Sequence, residues 1–142
     1  MEQRFTSRNY SIADFEGWSD KSELTLAPKF QRRDVWSDKA RSYLIDTIIR
    51  GKPIPKIYMR QETNAATRRT IREIVDGQQR LRTVLSFLKD GFKISKTHSK
   101  EYGGKMFSAL SEEVQGRSFA TSSWRTSYRT CLTRMSTMYL RE

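Results

Sequence analysis

The sequence predicts a small α/β domain of the α+β kind, a short sheet flanked by helices. Three observations carry this. Two stretches, near residues 38–50 and after Gly77, set apolar residues at helical spacing between start and stop signals. Between them lie two segments rich in β-branched residues. A chain of 142 residues is long enough for one domain with a modest core, although its 36% hydrophobic content is low for that size.

At the amino end, Ser11 is placed to cap a short helix through SIADFEGW, and ELTL alternates as one short strand. The next segment, APKFQRRDVW, carries Pro28, mixed charge and aromatics without a period and reads as a loop. In SDKARSYLIDTIIRGKP, Ser37 is the cap and Asp38 sits in the first turn. Leu44, Ile45, Ile48 and Ile49 form the apolar face, and Arg50, Gly51 and Pro53 are stop signals. Together they predict a helix over about residues 38–50.

IPKIYMR and RRTIREIVD are strand candidates, and the polar, turn-forming QETNAAT between them makes a hairpin the expected pairing. After Gly77, Leu81, Val84, Leu85 and Leu88 mark one helix face that ends at Asp90 and Gly91, with Arg82 on the solvent side. Beyond it a small strand at Phe92–Ile94 and a helical turn after Ser108 are expected, and there is no internal repeat.

Lysine and arginine number 27 against 16 acids, a formal charge of +11, which points to a polyanionic partner such as nucleic acid or nucleotide. The single cysteine, Cys131, excludes an internal disulfide or a cysteine-based zinc site within one chain. No apolar run approaches the roughly 20 residues that span a bilayer, and no signal-peptide core opens the sequence. The expectation is a soluble, cytoplasmic protein without a membrane partner.

The run DGQQR, residues 76–80, sits at the junction of the second strand and the second long helix. A helix start exposes unpaired N–H groups and the positive end of the dipole, so it attracts an anion. Gly77 lets a phosphate approach the backbone, Gln78 and Gln79 carry amide donors, and Arg80 offers a planar charged fork. Asp76 can cap the helix, bond a sugar hydroxyl or help hold hydrated Mg²⁺. The plainer alternative is a solvated strand-to-helix turn with Asp76 as its cap.

FQRRDVW, an amphipathic helix, GKPIPKIYM, a polar hairpin and IVDGQQRLRTVLSFLKDGF occur in that order. Over residues 10–115 this pattern resembles the N-terminal domain of the GmrSD-type modification-dependent restriction endonucleases, of the ParB/sulfiredoxin-like superfamily. The resemblance implies a small domain with a short mixed sheet flanked by helices. It implies that Asp76, Gly77, Gln78, Gln79 and Arg80 bind a nucleoside triphosphate, with Asp76, Gln78, Gln79 and Arg80 catalytic in its hydrolysis. By the same resemblance Gln31 and Arg32 face that pocket, Arg33 adds charge, Trp36 anchors the loop, and Asp76 is the candidate Mg²⁺ ligand. Pro53 to Pro55 read as a rigid entry to the bordering strand. A sulfiredoxin-type reaction needs a cysteine in the corresponding loop, and DGQQR has none. His98 stands alone in a polar stretch and reads as a surface residue.

The family's nuclease is a separate HNH-type domain, and no His-rich motif of that kind occurs here. The chain is therefore expected to be a truncated member with the nucleotide-sensing part, working with a separate nuclease subunit if in restriction. Residues 1–117 form the expected domain. From Ser118 to Arg141 there are four arginines and no lysine, Asp or Glu. Read one register over, TCLTRMSTM can yield the acidic DMPDEDVYD, so residues 118–142 are expected to be a frameshift-derived basic tail, poorly ordered. Trp124, Leu132 and Tyr139 would then pack badly. The competing functions are a nucleoside triphosphatase of a defence system, a nucleotide-switched DNA-binding module of the ParB type, and an inactive remnant.

Overall fold

The computed structural model describes residues 5–26, 36–120 and 123–133. Among these, five strands make one mixed sheet in the order β1-β5-β3-β4-β2, with helices packed against it, as the α/β class predicts. Strand β1 is Thr6–Ser11, β2 Leu24–Leu26, β3 Ile57–Asn64, β4 Thr70–Asp76 and β5 Ser123–Thr133. The longer helices are α1 (Ile12–Asp20), α2 (Asp38–Ile49) and α3 (Gln78–Leu88), and a short turn, α4, spans Glu112–Val114. Among the described residues no helix is long and apolar enough to cross a membrane.

The caps read from the sequence form. Ser11 Oγ accepts the Asp14 N–H at 3.1 Å, and the Asp14 carboxylate accepts the Ser11 N–H at 3.0 Å, a reciprocal capping box that starts α1. Ser37 Oγ accepts the Ala40 N–H at 3.2 Å and starts α2, whose Leu44, Ile45, Ile48 and Ile49 are buried. β3 and β4 pair antiparallel as the expected hairpin. On α3, Leu81, Val84, Leu85 and Phe87 are buried, with Leu88 partly so.

The segment after residue 117 departs from expectation. It is not a loose tail: β5 lies between β1 and β3, antiparallel to the first and parallel to the second. Trp124 is fully buried, its ring edge-on to Phe15 at a centroid distance of 5.7 Å, and its indole N–H donates to the Pro55 carbonyl at 3.0 Å. Phe119 is buried against Phe87 and Phe107, and Ser118 Oγ reaches the Ile49 carbonyl at 3.4 Å. The expected domain boundary at 117 thus falls inside one core. The Leu132 side chain and Tyr139 lie outside the described residues.

Three smaller differences stand beside this one. TSRNYS is polar and largely exposed, and so gives no strand signal, yet it forms β1. Phe92–Ile94 is not a strand; Ile94 trades backbone hydrogen bonds with Lys105 and Gly104, which closes a loop. Arg82 is only partly solvent-facing: the residue is half-buried, with its Nε and one terminal nitrogen buried without a partner.

The β4–α3 junction has its own local cause. Tyr58 pairs with Asp76 while Met59 pairs with Ile74, so Val75 is an extra residue in β4. Such a bulge kinks the strand and re-aims the residues after it. Here both Val75 and Asp76 are exposed, directly before Gly77. Gly77 has φ +103°, and a β-carbon there would stand 2.5 Å from Ile57 Cδ1 and 3.1 Å from an Arg80 terminal nitrogen. Glycine is thus required first by the protein's own packing.

Trp124→Ala is expected to cost about 3–5 kcal/mol, a large part of a typical domain's stability. A urea midpoint equal to that of the parent chain would remove β5 from the core. Gly77→Ala combines a left-handed backbone with a clash against Ile57, and is expected to destabilise by about 2 kcal/mol. Thermal unfolding followed by circular dichroism checks it.

Candidate functional site

The bulge, the glycine and the start of α3 together shape a pocket of ≈ 230 Å³ lined by Val75, Asp76, Gly77, Gln78, Gln79 and Arg80, with Trp36 also in its wall. All five residues of DGQQR therefore meet at one cavity. Trp36 also packs against the hydrophobic core, as its anchoring role predicts. Gln31, Arg32 and Arg33 lie outside the described residues.

Asp76 is not the helix cap. Gly77 holds that position, and no side chain caps α3. The first intrahelical bond runs from the Leu81 N–H to the Gly77 carbonyl at 3.0 Å. The amides of Gln78, Gln79 and Arg80 consequently have no intrahelical acceptor.

Arg80 folds back over this helix start. One terminal nitrogen donates to the Lys56 carbonyl at 3.1 Å and lies 3.9 Å from the Asp76 carboxylate. Its side chain is 18% exposed against 69% for Asp76, and its Nε is buried without a partner. The guanidinium is held by the carbonyl of the residue directly before β3, and its Nε donor is unused. Because Asp76 is so exposed, the ion pair itself adds little stability.

Gln78 is buried and its amide nitrogen donates to the Ile74 carbonyl at 3.0 Å. That bond fixes which way the amide points. Its Oε1 is buried with no partner, an orphan acceptor inside the protein where the sequence suggests a donor. Gln79 is half-buried, and its carbonyl accepts the Thr83 hydroxyl at 2.7 Å.

For a metal, the described residues hold no cluster of three or more His, Cys, Asp or Glu side chains. Among them Asp76 is the single carboxylate lining the pocket. One carboxylate suits a largely hydrated Mg²⁺ completed by phosphate oxygens.

Sequence reasoning misses several neighbours. His98 is not a lone surface residue: its side chain is 18% exposed, its Nε2 lies 3.9 Å from Asp46 Oδ2, and its ring meets Tyr43 edge-on at 5.7 Å. His98 and Tyr43 line an apolar cavity of ≈ 460 Å³ that also contains Trp36, Pro55 and Arg80. Elsewhere, two cavities of ≈ 580 and ≈ 620 Å³ meet at Gly51 and Lys52, past the end of α2. Lys52, Lys56 and Arg125 line the first, Arg50, Lys52 and Arg117 the second, and among the described residues neither is lined by an acid. Arg50, Lys52 and Lys56 fall in one short stretch, but Arg117 and Arg125 come from far along the chain, so no single motif announces the set.

The family model described as GmrSD restriction endonuclease, N-terminal domain, matches residues 15–137. The match continues through β5, in keeping with its place inside the sheet. Searches of curated proteins and of solved structures gave no significant match. The chain therefore belongs to the GmrSD restriction endonuclease N-terminal domain family and is a domain of a restriction and defence system.

Proposed function

We propose that the chain binds a nucleoside triphosphate at the start of α3 and hydrolyses it, as the nucleotide-responsive part of a restriction system whose nuclease is a separate unit. One observation carries this reading: Arg80 is folded across a helix start whose amides have no intrahelical acceptor, at a cavity lined by all five DGQQR residues.

Phosphoryl transfer depends on positioning and charge neutralisation more than on covalent chemistry. The amides of Gln78, Gln79 and Arg80 and the guanidinium fork offer donors to phosphate oxygens. A water attacks the γ-phosphorus as the bridging P–O bond breaks, its proton passing to a phosphate oxygen. Nucleoside diphosphate and inorganic phosphate result. Arg80 offsets the charge that builds on the transferred group. Mg²⁺, when bound, shields the phosphates, and Asp76 would hold it through its hydration shell. Gln31, Arg32 and Arg33 precede Trp36 by at most five residues, close enough in the chain for the two arginines to supply further charge and Gln31 an amide.

A second reading, a nucleotide-switched DNA-binding module, draws on the basic cavities around Lys52. Cations clustered on one face track a phosphate backbone and make affinity salt-dependent.

Titration with nucleoside triphosphates and Mg²⁺, followed by calorimetry and phosphate release, is expected to show both binding and turnover. Arg80→Ala is expected to weaken binding by about 10- to 100-fold with the fold intact, since a charged hydrogen bond is worth about 1.5–3 kcal/mol. Unchanged affinity would overturn the assignment. DNA binding without nucleotide that falls steeply between low and physiological salt, and falls again in Lys52→Ala, would favour the second reading.

A further inference from the structure

The polar pocket leaves an apolar neighbour unexplained. Trp36 and Arg80 line both the cavity at the α3 start and the ≈ 460 Å³ cavity beside it, so the two adjoin at these side chains. The wall of the second cavity is largely hydrocarbon and ring: Ala40, Tyr43, Leu44 and Pro55, with His98 as a polar edge. Its volume lies within the range of about 300–1,000 Å³ usual for small-molecule sites.

Exposure points to the same place. Among the described residues the exposed large hydrophobics are Phe5, Tyr43 and Val75. Val75 lines the polar pocket at the β4 bulge, and Tyr43 lines the apolar one. Tyr43 is 65% exposed on α2, yet its ring is steadied by the edge contact with His98. Leaving an aromatic this open forgoes the stability of burying it, while giving a flat face to a planar ligand.

We infer that the apolar cavity receives the base of the nucleotide whose phosphates meet the α3 start. Tyr43 supplies the stacking face, His98 the hydrogen-bonding edge, and Arg80 the joint between the two halves. Every base has a π-face, so stacking on Tyr43 raises affinity for nucleotides over bare polyphosphate whichever base is present. His98 then discriminates among bases. The inference rests on the reading of the α3 start as a triphosphate site.

The experiment titrates the full chain, with Mg²⁺, against the four ribonucleoside triphosphates and inorganic tripolyphosphate, in parent, Tyr43→Ala and Tyr43→Phe forms. In the parent, at least one nucleotide is expected to bind about 10-fold or more tighter than tripolyphosphate. Tyr43→Ala is expected to erase most of that advantage while leaving tripolyphosphate affinity within about twofold, and Tyr43→Phe to restore it. Tripolyphosphate binding as tightly as every nucleotide, or weakening in step with them in Tyr43→Ala, would overturn the base subsite alone. If neither nucleotides nor tripolyphosphate bind, the triphosphate reading fails and the subsite falls with it.

Discussion

A hydrogen atom at Gly77, where other residues carry a β-carbon, holds the end of β4, the start of α3 and the Arg80 side chain in one place. Ile57 fills the space on one side and the guanidinium the space on the other. With that contact, the bulge at Val75 can turn the strand outward while the helix begins at once, uncapped by any side chain. An uncapped helix start costs stability, because polar groups are left without partners. Beside them stands an arginine held by the Lys56 carbonyl, so the donors of this helix start are fixed in place by the protein's own contacts.

How much of this is legible in the sequence depends on where each signal resides in the chain. The two long helices and the β3–β4 hairpin are readable because period, cap and stop signals sit within a short stretch of one another. β5 is not, because its consecutive residues Thr126 and Ser127 are both buried, so no alternation marks a solvent face. Thr126 meets its burial by a hydrogen bond to the Trp124 carbonyl, a compensation invisible in composition. DGQQR is readable as a polar junction, but the direction of the Gln78 amide is not, since it depends on the Ile74 carbonyl on the preceding strand. Tyr43, Pro55 and His98 come from three segments and carry no joint pattern.

The charge of +11 also overstates the attraction available to an anion. Arg72 lies over Trp18 at 4.0 Å and Arg41 over Phe92 at 4.4 Å. Burial lowers the Arg72 pKa, its first cause, against partial compensation from Tyr10 and Glu23. These side chains serve as packing material whose charge is partly spent on aromatic rings. The basic residues around Lys52 and the guanidinium of Arg80 are set against cavities.

The position of β5 has a consequence for synthesis on the ribosome. Thr6 pairs with Tyr128, far along the chain, and β3 finds its parallel neighbour only in the same late strand. During translation the hairpin therefore waits with one flank unzipped until β5 clears the exit tunnel. Nascent chains in that state are prone to sticking to one another, so the yield of native protein should depend on elongation speed and chaperone supply.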